Sequence, residues 1–563
     1  MSTPDPERTQ AEADADAVRH RAILKVLTGL LLGMFVSMLA TTVVSSSLPI
    51  ILADLHGGQT AFTWVVTATL LTTAVSTPIW GKLADLVNRK LLLQLAITIF
   101  IVASASAGFA EGAGWLIAMR AVQGIGAGGL GALTQIVMAD IVSPRERGRY
   151  MGLFGGVMAL ATVGGPLLGG VVTDAISWRW NFFIAVPLAV VALVMIQRTL
   201  HLPPLPKRVV KIDYLGIVLL AASVSTLLIW VTLVGKDFDW ISATSAYMVL
   251  GSVLGLVLFV AVELRHSEPL LPLHLFRNRT FSWSVVGSLA VGVAMFGTSV
   301  FLSQYMQLAR GASATQSGLM TIPMMVGLLG ASAVIGRRIT ASGRWKGYLV
   351  GGAIALTVGL LAMGSIEYDT PFVLVSVYMF VLGAGVGIVM QNLVLVVQND
   401  VAPRDLGVAS SGVTFFRSVG GTVGVSVLGA VLGDKVVSHM GEKKAELGQA
   451  IASLGEQGRS VAEALHNGTI PSVSSLPGPV REIVESVYGQ SVADIFLYAA
   501  PLGLLSLIAV AMLPNKALGT QTRHERQTSQ DEESAATRVA QAAEAVAAQT
   551  GPEHPGDGRD HHQ

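Results

Sequence analysis

Apolar residues run along this chain in long stretches, and most polar residues fall into short strips between them. A run of about 20 apolar residues is what a helix needs to cross the hydrocarbon core of a bilayer. In lipid a helix also satisfies its own backbone hydrogen bonds, so the helical reading is close to forced. The pattern predicts an all-α membrane protein with about fourteen spans. Six fall near 23–52, 62–84, 91–110, 115–141, 150–173 and 180–197, and two near 212–234 and 241–264. Six more fall near 281–308, 317–335, 348–366, 372–397, 408–432 and 493–513. The expected divisions are a tail (1–21), a six-helix bundle (22–200), a linker with two extra spans (201–280), a second six-helix bundle (281–515) and a final tail (516–563). The first tail is acidic, with Asp5, Glu7, Glu12, Asp14 and Asp16, unlike a cleavable signal peptide, so the first span is expected to stay as an anchor.

Two polar segments interrupt the pattern. Residues 434–491 hold an amphipathic stretch (442–465), a Pro/Ser-rich turn (470–479) and a second short amphipathic stretch (480–488). These read as a helical hairpin on the membrane surface, or as a loose loop. The polar tail after Asn515 reads as disordered apart from an Ala-rich helix near 533–548.

Charge sets the orientation. With the N-terminus inside, short inner loops carry about eighteen Lys and Arg against about three outside. The inner set includes Lys82, Arg145, Arg147, Lys207, Arg208, Lys211, Arg337, Arg338, Arg344 and Lys346, and the outer set is Arg179, Lys236 and Arg310. Both termini are therefore expected in the cytoplasm of a cell with this protein in its inner membrane. Composition agrees: 52% of residues are hydrophobic and 13% charged, against roughly 25% charged in soluble domains. The net charge of +1 gives no reason to expect a nucleic-acid partner. Absence of cysteine excludes disulfides, thiolate metal sites and cysteine nucleophiles. No metal or cofactor is expected. With no paired catalytic carboxylates and no nucleophile beside a base, neither is an enzyme. His561 and His562, in the tail, are expected to do nothing.

Four segments carry candidate chemistry. Between spans two and three, Gly81 allows close helix approach, and Asp85 sits beside Arg89 and Lys90, where a charge pair can be made or broken. The same segment also reads as a plain basic loop that fixes topology. In span four, Arg120 costs several kcal/mol unless it faces a cavity or a partner, or snorkels to the interface. The glycines that follow, Gly124, Gly126 and Gly129, match G-x-G-x-x-G, but no strand precedes them, so they read as a packing face. Span five holds Gly155, Gly165, Pro166, Gly169 and Gly170, where close packing and a proline bend suit a pivot. Trp178 to Phe183 opens span six as interface anchors. Arg417, near mid-depth in span thirteen, needs a cavity or a partner.

Together these segments resemble the major facilitator superfamily, and within it the fourteen-span drug:proton antiporter branch, the QacA/EmrB-like exporters. Residues 81–90 look like its inner-loop motif, 120–129 like its span-four motif, 155–170 like its antiporter motif, and 178–187 and 404–424 like branch signatures. The resemblance covers roughly 22–515 and implies a major facilitator fold that works by alternating access, two halves rocking about a midplane site. It implies proton-driven export of drug-like amphiphilic molecules by a monomer, with protons and membrane lipid as its other partners. Expected cavity residues are Phe35, Thr41, Ser45, Trp64, Thr69, Arg120, Gln123, Phe154, Gln304, Tyr305, Gln391, Asn392 and Arg417. One departure matters. The branch has an Asp where Ala40 stands, and an Asn where Ala185 stands. No acid or His remains at mid-depth, and Arg cannot serve as the carrier because it stays protonated. Coupling would then fall to acids at span ends: Asp140, Glu263 and Asp494. With arginines as the deep charges, the substrate is expected to be a neutral or anionic amphiphile. Alternatives are export of one metabolite, natural product or lipid, and a sensor that keeps the fold without transporting.

Overall fold

The computed structural model describes residues 6–55, 59–202, 212–235, 238–312, 314–454 and 476–520, with Glu525, Thr537 and Gln541 besides. The first helices are α1 (Pro6–Asp54), α2 (Gln59–Leu86), α3 (Arg89–Gly108), α4 (Ala113–Ile141) and α5 (Pro144–Ala175). Next come α6 (Trp180–Phe183), α7 (Ala185–Thr199), α8 (Tyr214–Leu233) and α9 (Ala243–Glu263). The second group is α10 (Arg279–Gln304), α11 (Ala314–Met320), α12 (Ile322–Ser342), α13 (Lys346–Met363) and α14 (Phe372–Asp400). It closes with α15 (Leu406–Glu442), α16 (Lys444–Ser453) and α17 (Gly478–Met512). Among the described residues every regular element is helical; Val234 and Phe238 form one isolated bridge.

Twelve helices among the described residues are long and apolar enough to cross a membrane. The two long helices outside that set are α2, with 28 residues, and α5, with 32. Both are diluted by Thr, Gly and charged residues, and both sit inside the bundle, α2 against α4 and α5 against α1 and α12. The predicted sixth span is two helices, α6 and α7, in immediate succession.

The two groups of helices repeat one packing scheme. In the first, α2 meets α4, α1 meets α5, α3 meets α4 and α1 meets α7; in the second, α12 meets α14, α10 meets α15, α13 meets α14 and α10 meets α17. The halves join where α2 meets α15 and α5 meets α12, and the α8–α9 pair lies along the first seam, with α8 touching both α2 and α15. Loops with Arg89, Lys90, Arg145, Arg344 and Lys346 share one face, here the basic face. There the apolar core is continuous across the seam: Ile136 and Leu92 belong to one cluster with Val397, Leu406 and Phe415. A second cluster fills the second half.

The expected surface hairpin takes another form. Helix α15 does not stop near 432 but continues to Glu442, and 480–488 is no separate stretch, since α17 begins at Gly478 and runs unbroken into the last span. Val480, Val484 and Val487 are buried. The apolar stripe of each extension covers that of the other, so the helices gain by continuing together beyond the lipid. The short α16 turns off α15 and packs on α17, and 455–475 lies outside the described residues, as do Lys207, Arg208, Lys211 and the predicted 533–548 helix apart from Thr537 and Gln541.

Candidate functional site

Arg120 is a buried cation bound by helix backbones. Its side chain is turned inward and 1% exposed, so it does not snorkel. Nε donates to the Val65 carbonyl at 3.3 Å, and Nη1 donates to the Ala40 carbonyl at 3.4 Å and to Gln123 Oε1 at 2.7 Å. Thr69 Oγ1 donates to the Arg120 carbonyl at 3.1 Å. One guanidinium thus ties α1, α2 and α4. The helices come this close because α4 presents glycine: a β-carbon at Gly124 would fall 2.4 Å from the Thr69 carbonyl, and one at Gly128 2.6 Å from the Thr73 carbonyl. No ion pair among the described residues includes Arg120 or Arg417. A buried cation without a carboxylate favours any anion or polar group that can reach it.

Beside this site, Ala40 and Ala185 line one small pocket with Leu39, Val43, Leu168, Val172, Asn181 and Ile184. Asn181, 3% exposed, donates through Nδ2 to Ser47 Oγ at 2.9 Å and Thr173 Oγ1 at 2.8 Å, while its Oδ1 is buried without a hydrogen-bond partner. The two alanines that depart from the expected pattern therefore meet in space, and together they make an apolar hollow.

The second half mirrors the first loosely. Arg417 is buried, and Nη1 reaches the Met390 carbonyl at 3.5 Å. Asn392 donates to the Ile388 carbonyl at 2.7 Å and keeps Oδ1 unpartnered. Helix α10 presses on Arg417 so tightly that a β-carbon at Gly292 would sit 2.1 Å from the Arg417 carbonyl oxygen. Backbone cannot yield there as a side-chain tip could. Gly292→Ala is expected to destabilise the second half by about 1–3 kcal/mol, read as a lower melting temperature in detergent.

At the basic face the halves are latched. Asp85, at the end of α2, accepts from the Gly407 amide at 3.0 Å and the Val408 amide at 2.9 Å, the free N–H groups of the first turn of α15. Gly81 makes the approach feasible by bringing α2 against Ser411 and Gly407. Arg145 donates to the Thr340 and Ala341 carbonyls, and Arg147 to Gln398. Arg89 pairs with Asp140 at 3.3 Å, and Lys90 donates to the Gln197 carbonyl. The expected partners of Asp85, Arg89 and Lys90 thus extend well beyond their own loop: Asp85 caps a helix of the other half.

Residues 30–425 match the family model of the Major Facilitator Superfamily. This chain belongs to the major facilitator superfamily. It is 36% identical to the Uncharacterized MFS-type transporter Rv1877 of Mycobacterium tuberculosis (strain ATCC 25618 / H37Rv), over 87% of this chain and 69% of that protein. It is 34% identical to the Multidrug transporter protein MdtP of Bacillus subtilis (strain 168), over 81% of this chain and 85% of that one. Among solved structures, the human organic anion transporter MFSD10 matches with a TM-score of 0.54 and 15% identity, covering 85% of this chain and 99% of that chain; the likeness is one of fold. The chain is a multi-pass membrane transporter of this superfamily.

In this facilitator the remaining expected residues are scattered. Gly165 packs on Thr42 of α1, Gly155 on Leu329 of α12, and the Gly169 carbonyl accepts from Ser47. A β-carbon at Gly170 would meet nothing within 4 Å. The side chains of Ser45 and Pro166 lie outside the described residues. Thr41 bonds the Ser37 carbonyl, Phe154 is buried, Phe35 and Trp64 are half-buried, and Gln391 is buried beside Asn392. Gln304 keeps a buried, unpartnered Oε1. Tyr305 serves a different purpose: its hydroxyl donates to the Glu367 carbonyl at 2.6 Å and accepts from Arg310, fixing a loop at the end of α10. Trp178 is no lipid-facing anchor. It is buried, donates to Asp54 and lies under the Arg179 guanidinium, which itself pairs with Asp54 at 3.0 Å. Sequence reasoning missed Gly407, Ser411 and Asn181 as individual residues. The signal available was a Gly and a Ser at one-turn spacing early in a span.

Proposed function

We propose that this facilitator is a proton-driven exporter of drug-like amphiphiles, working by alternating access in the fourteen-span drug:proton antiporter branch. The observation that carries it is the Asp85 latch, a bond between halves that must break whenever the basic face opens. MdtP, with the name of a multidrug transporter, supports export. Helices α2 and α5 added to the twelve apolar helices make fourteen spans. The divisions at 22–200, 201–280 and 281–515 follow the repeated packing scheme. The basic face is then cytoplasmic, with both termini inside at the inner membrane, and the protein acts as a monomer with no enzymatic activity.

Substrate charge follows from the two arginines. Among the described residues Arg120 and Arg417 are buried without a carboxylate partner, and alanine stands at 40, so the cavity favours neutral or anionic amphiphiles over dications. Phe35, Trp64 and Thr69 would line its first half, and Gln391 and Asn392 its second. Proton binding falls to Asp140, Glu263 and Asp494. Asp494 lies 3.0 Å from His439 Nε2 and 3.9 Å from Lys435 on α15, so its charge bears on the α15–α17 contact.

The test is uptake into inverted vesicles of a panel of anionic antibiotics, neutral compounds and cationic dyes, with and without a proton uncoupler. Uptake of several neutral or anionic compounds should collapse with the uncoupler. Strong transport of a dication would overturn the substrate reading, and uptake indifferent to the uncoupler would overturn the proton coupling. A response confined to one compound would mark a dedicated exporter.

A further inference from the structure

The α8–α9 pair has no part in the alternation described so far, yet the segment that follows it crosses the latch. Glu263 ends α9 and is 4% exposed. Its two oxygens accept from the Leu270 and Leu271 amides, each at 3.1 Å, which folds the segment back beneath the helix. Leu270, Leu271 and Leu275 are buried on its underside, and Leu271 reaches the surface of α15 at Gly412. The segment is tied at both sides of the seam. Glu268 pairs with Lys82, one residue past Gly81 on α2, at 3.0 Å. His274 Nε2 lies 3.0 Å from Asp405, the residue before α15. These are the two helices that the Asp85 latch holds together.

The anchor is built from like charges. Asp213, just before α8, is 5% exposed and has a buried Oδ2 with no hydrogen-bond partner. A β-carbon at Gly216 would fall 2.3 Å from that oxygen and 3.0 Å from Glu263 Oε1, so both carboxylates crowd the first turn of α8. Among the described residues, the charges that act on Glu263 are Asp213, just before α8, and Lys82 of α2; within the segment the Glu268 amide donates to His266 Nδ1, and His274 and Asp405 face each other at its far end. Among the described residues Lys82 is the cation that acts on Glu263, and it is engaged by Glu268. Two buried carboxylates this close repel, and a proton on Glu263 relieves them.

We propose that 264–278 is a proton-sensitive strap over the latch. Ionised Glu263 holds the strap down across α2 and α15. A proton taken from the aqueous phase at the basic face onto the Glu263 carboxylate removes its negative charge and weakens its grip on the two amides. The strap then loosens and the halves part on that side. Glu263 is a positioning residue here: it acts on the latch through the strap. The proposal rests on the proton-coupled reading above only for its place in the transport cycle.

Because the chain has no cysteine, a single reporter thiol can be read without background. Ser411→Cys lies under Gly81 in the latch and is covered while the halves are closed. Its labelling by N-ethylmaleimide is measured on the full chain in proteoliposomes, with each rate divided by that of the denatured protein at the same pH. The parent should label faster as pH falls from neutral to mildly acidic. Glu263→Gln, which mimics the protonated acid, should label roughly tenfold faster at neutral pH, the effect of losing one charge-assisted hydrogen bond, and should lose the pH response. Glu268→Gln cuts the tie to α2 without touching the anchor; it should label faster at every pH and keep the response. Glu263→Gln with the parent's rate and pH profile would overturn the proposal, and so would Glu268→Gln at the parent's rate. Uptake indifferent to an uncoupler, with the labelling pattern intact, would sink proton-driven export and leave the strap standing.

Discussion

Gly81→Ala should cut turnover at least roughly tenfold while both halves stay folded. A β-carbon at 81 would lie 1.8 Å from Ser411 Oγ, 2.5 Å from Ser411 Cβ and 2.8 Å from the Gly407 carbonyl oxygen. No small adjustment clears three contacts of that kind, so α2 and α15 must separate. With them goes the Asp85 cap on α15, whose two charge-assisted hydrogen bonds contribute about 1.5–3 kcal/mol each. The protein is then held open on the basic face. Transport should fall at least roughly tenfold, with the core of the second half intact and only the contacts that bridge the seam lost. Gly407→Ala should behave alike, its β-carbon meeting the Gly81 carbonyl at 2.5 Å and Asp85 Oδ1 at 2.7 Å. Removing the Ser411 side chain in Gly81→Ala/Ser411→Gly deletes two of the three clashes and should restore part of the activity. Transport by Gly81→Ala at the parent's rate, measured in vesicles at matched protein, would refute the latch.

Arg120→Lys should cost nearly as much as Arg120→Gln. The guanidinium serves acceptors on three helices at once: the Val65 carbonyl on α2, the Ala40 carbonyl on α1 and Gln123 Oε1 on α4. An ammonium is a point charge on a flexible stem and cannot span them. Loss of two such bonds, at about 1.5–3 kcal/mol each, corresponds to a fall in transport of roughly a hundredfold or more for the Gln variant. The Lys variant keeps the charge but loses the geometry and should fall nearly as far. The measurement is initial uptake into inverted vesicles, normalised to folded protein. If charge alone mattered, Arg120→Lys would keep the parent's rate, and the bonds that tie the three helices would be dispensable for transport.

The residues differ in how far their roles could be read ahead of the fold. Arg120 was legible because a cation inside an apolar run has few destinations in a bilayer. Gly124, Gly126 and Gly129 were legible as a packing face because their spacing is local to one helix. Asp85 stood out as an acid at a span end, but its partners did not, since Gly407 and Val408 lie 322 and 323 residues further along the chain. Ala40 and Ala185 were seen as two separate losses; only packing shows that they empty one pocket. Trp178 was misread because an interfacial Trp and a buried one look the same in sequence, and the difference is its bond to Asp54.

Hydropathy and loop charge by themselves determined that this protein is a bundle of membrane-crossing helices, roughly where each one runs, and that two arginines are stranded among them. Those are properties of single segments meeting a solvent, so each can be read one window at a time. The tertiary structure alone decided that α15 and α17 outrun the lipid together, that Asp85 caps a helix of the opposite half, and that Glu263 ties a strap over that join. Each of these depends on which surfaces meet across hundreds of residues, and such a meeting is fixed by close packing and mutual charge.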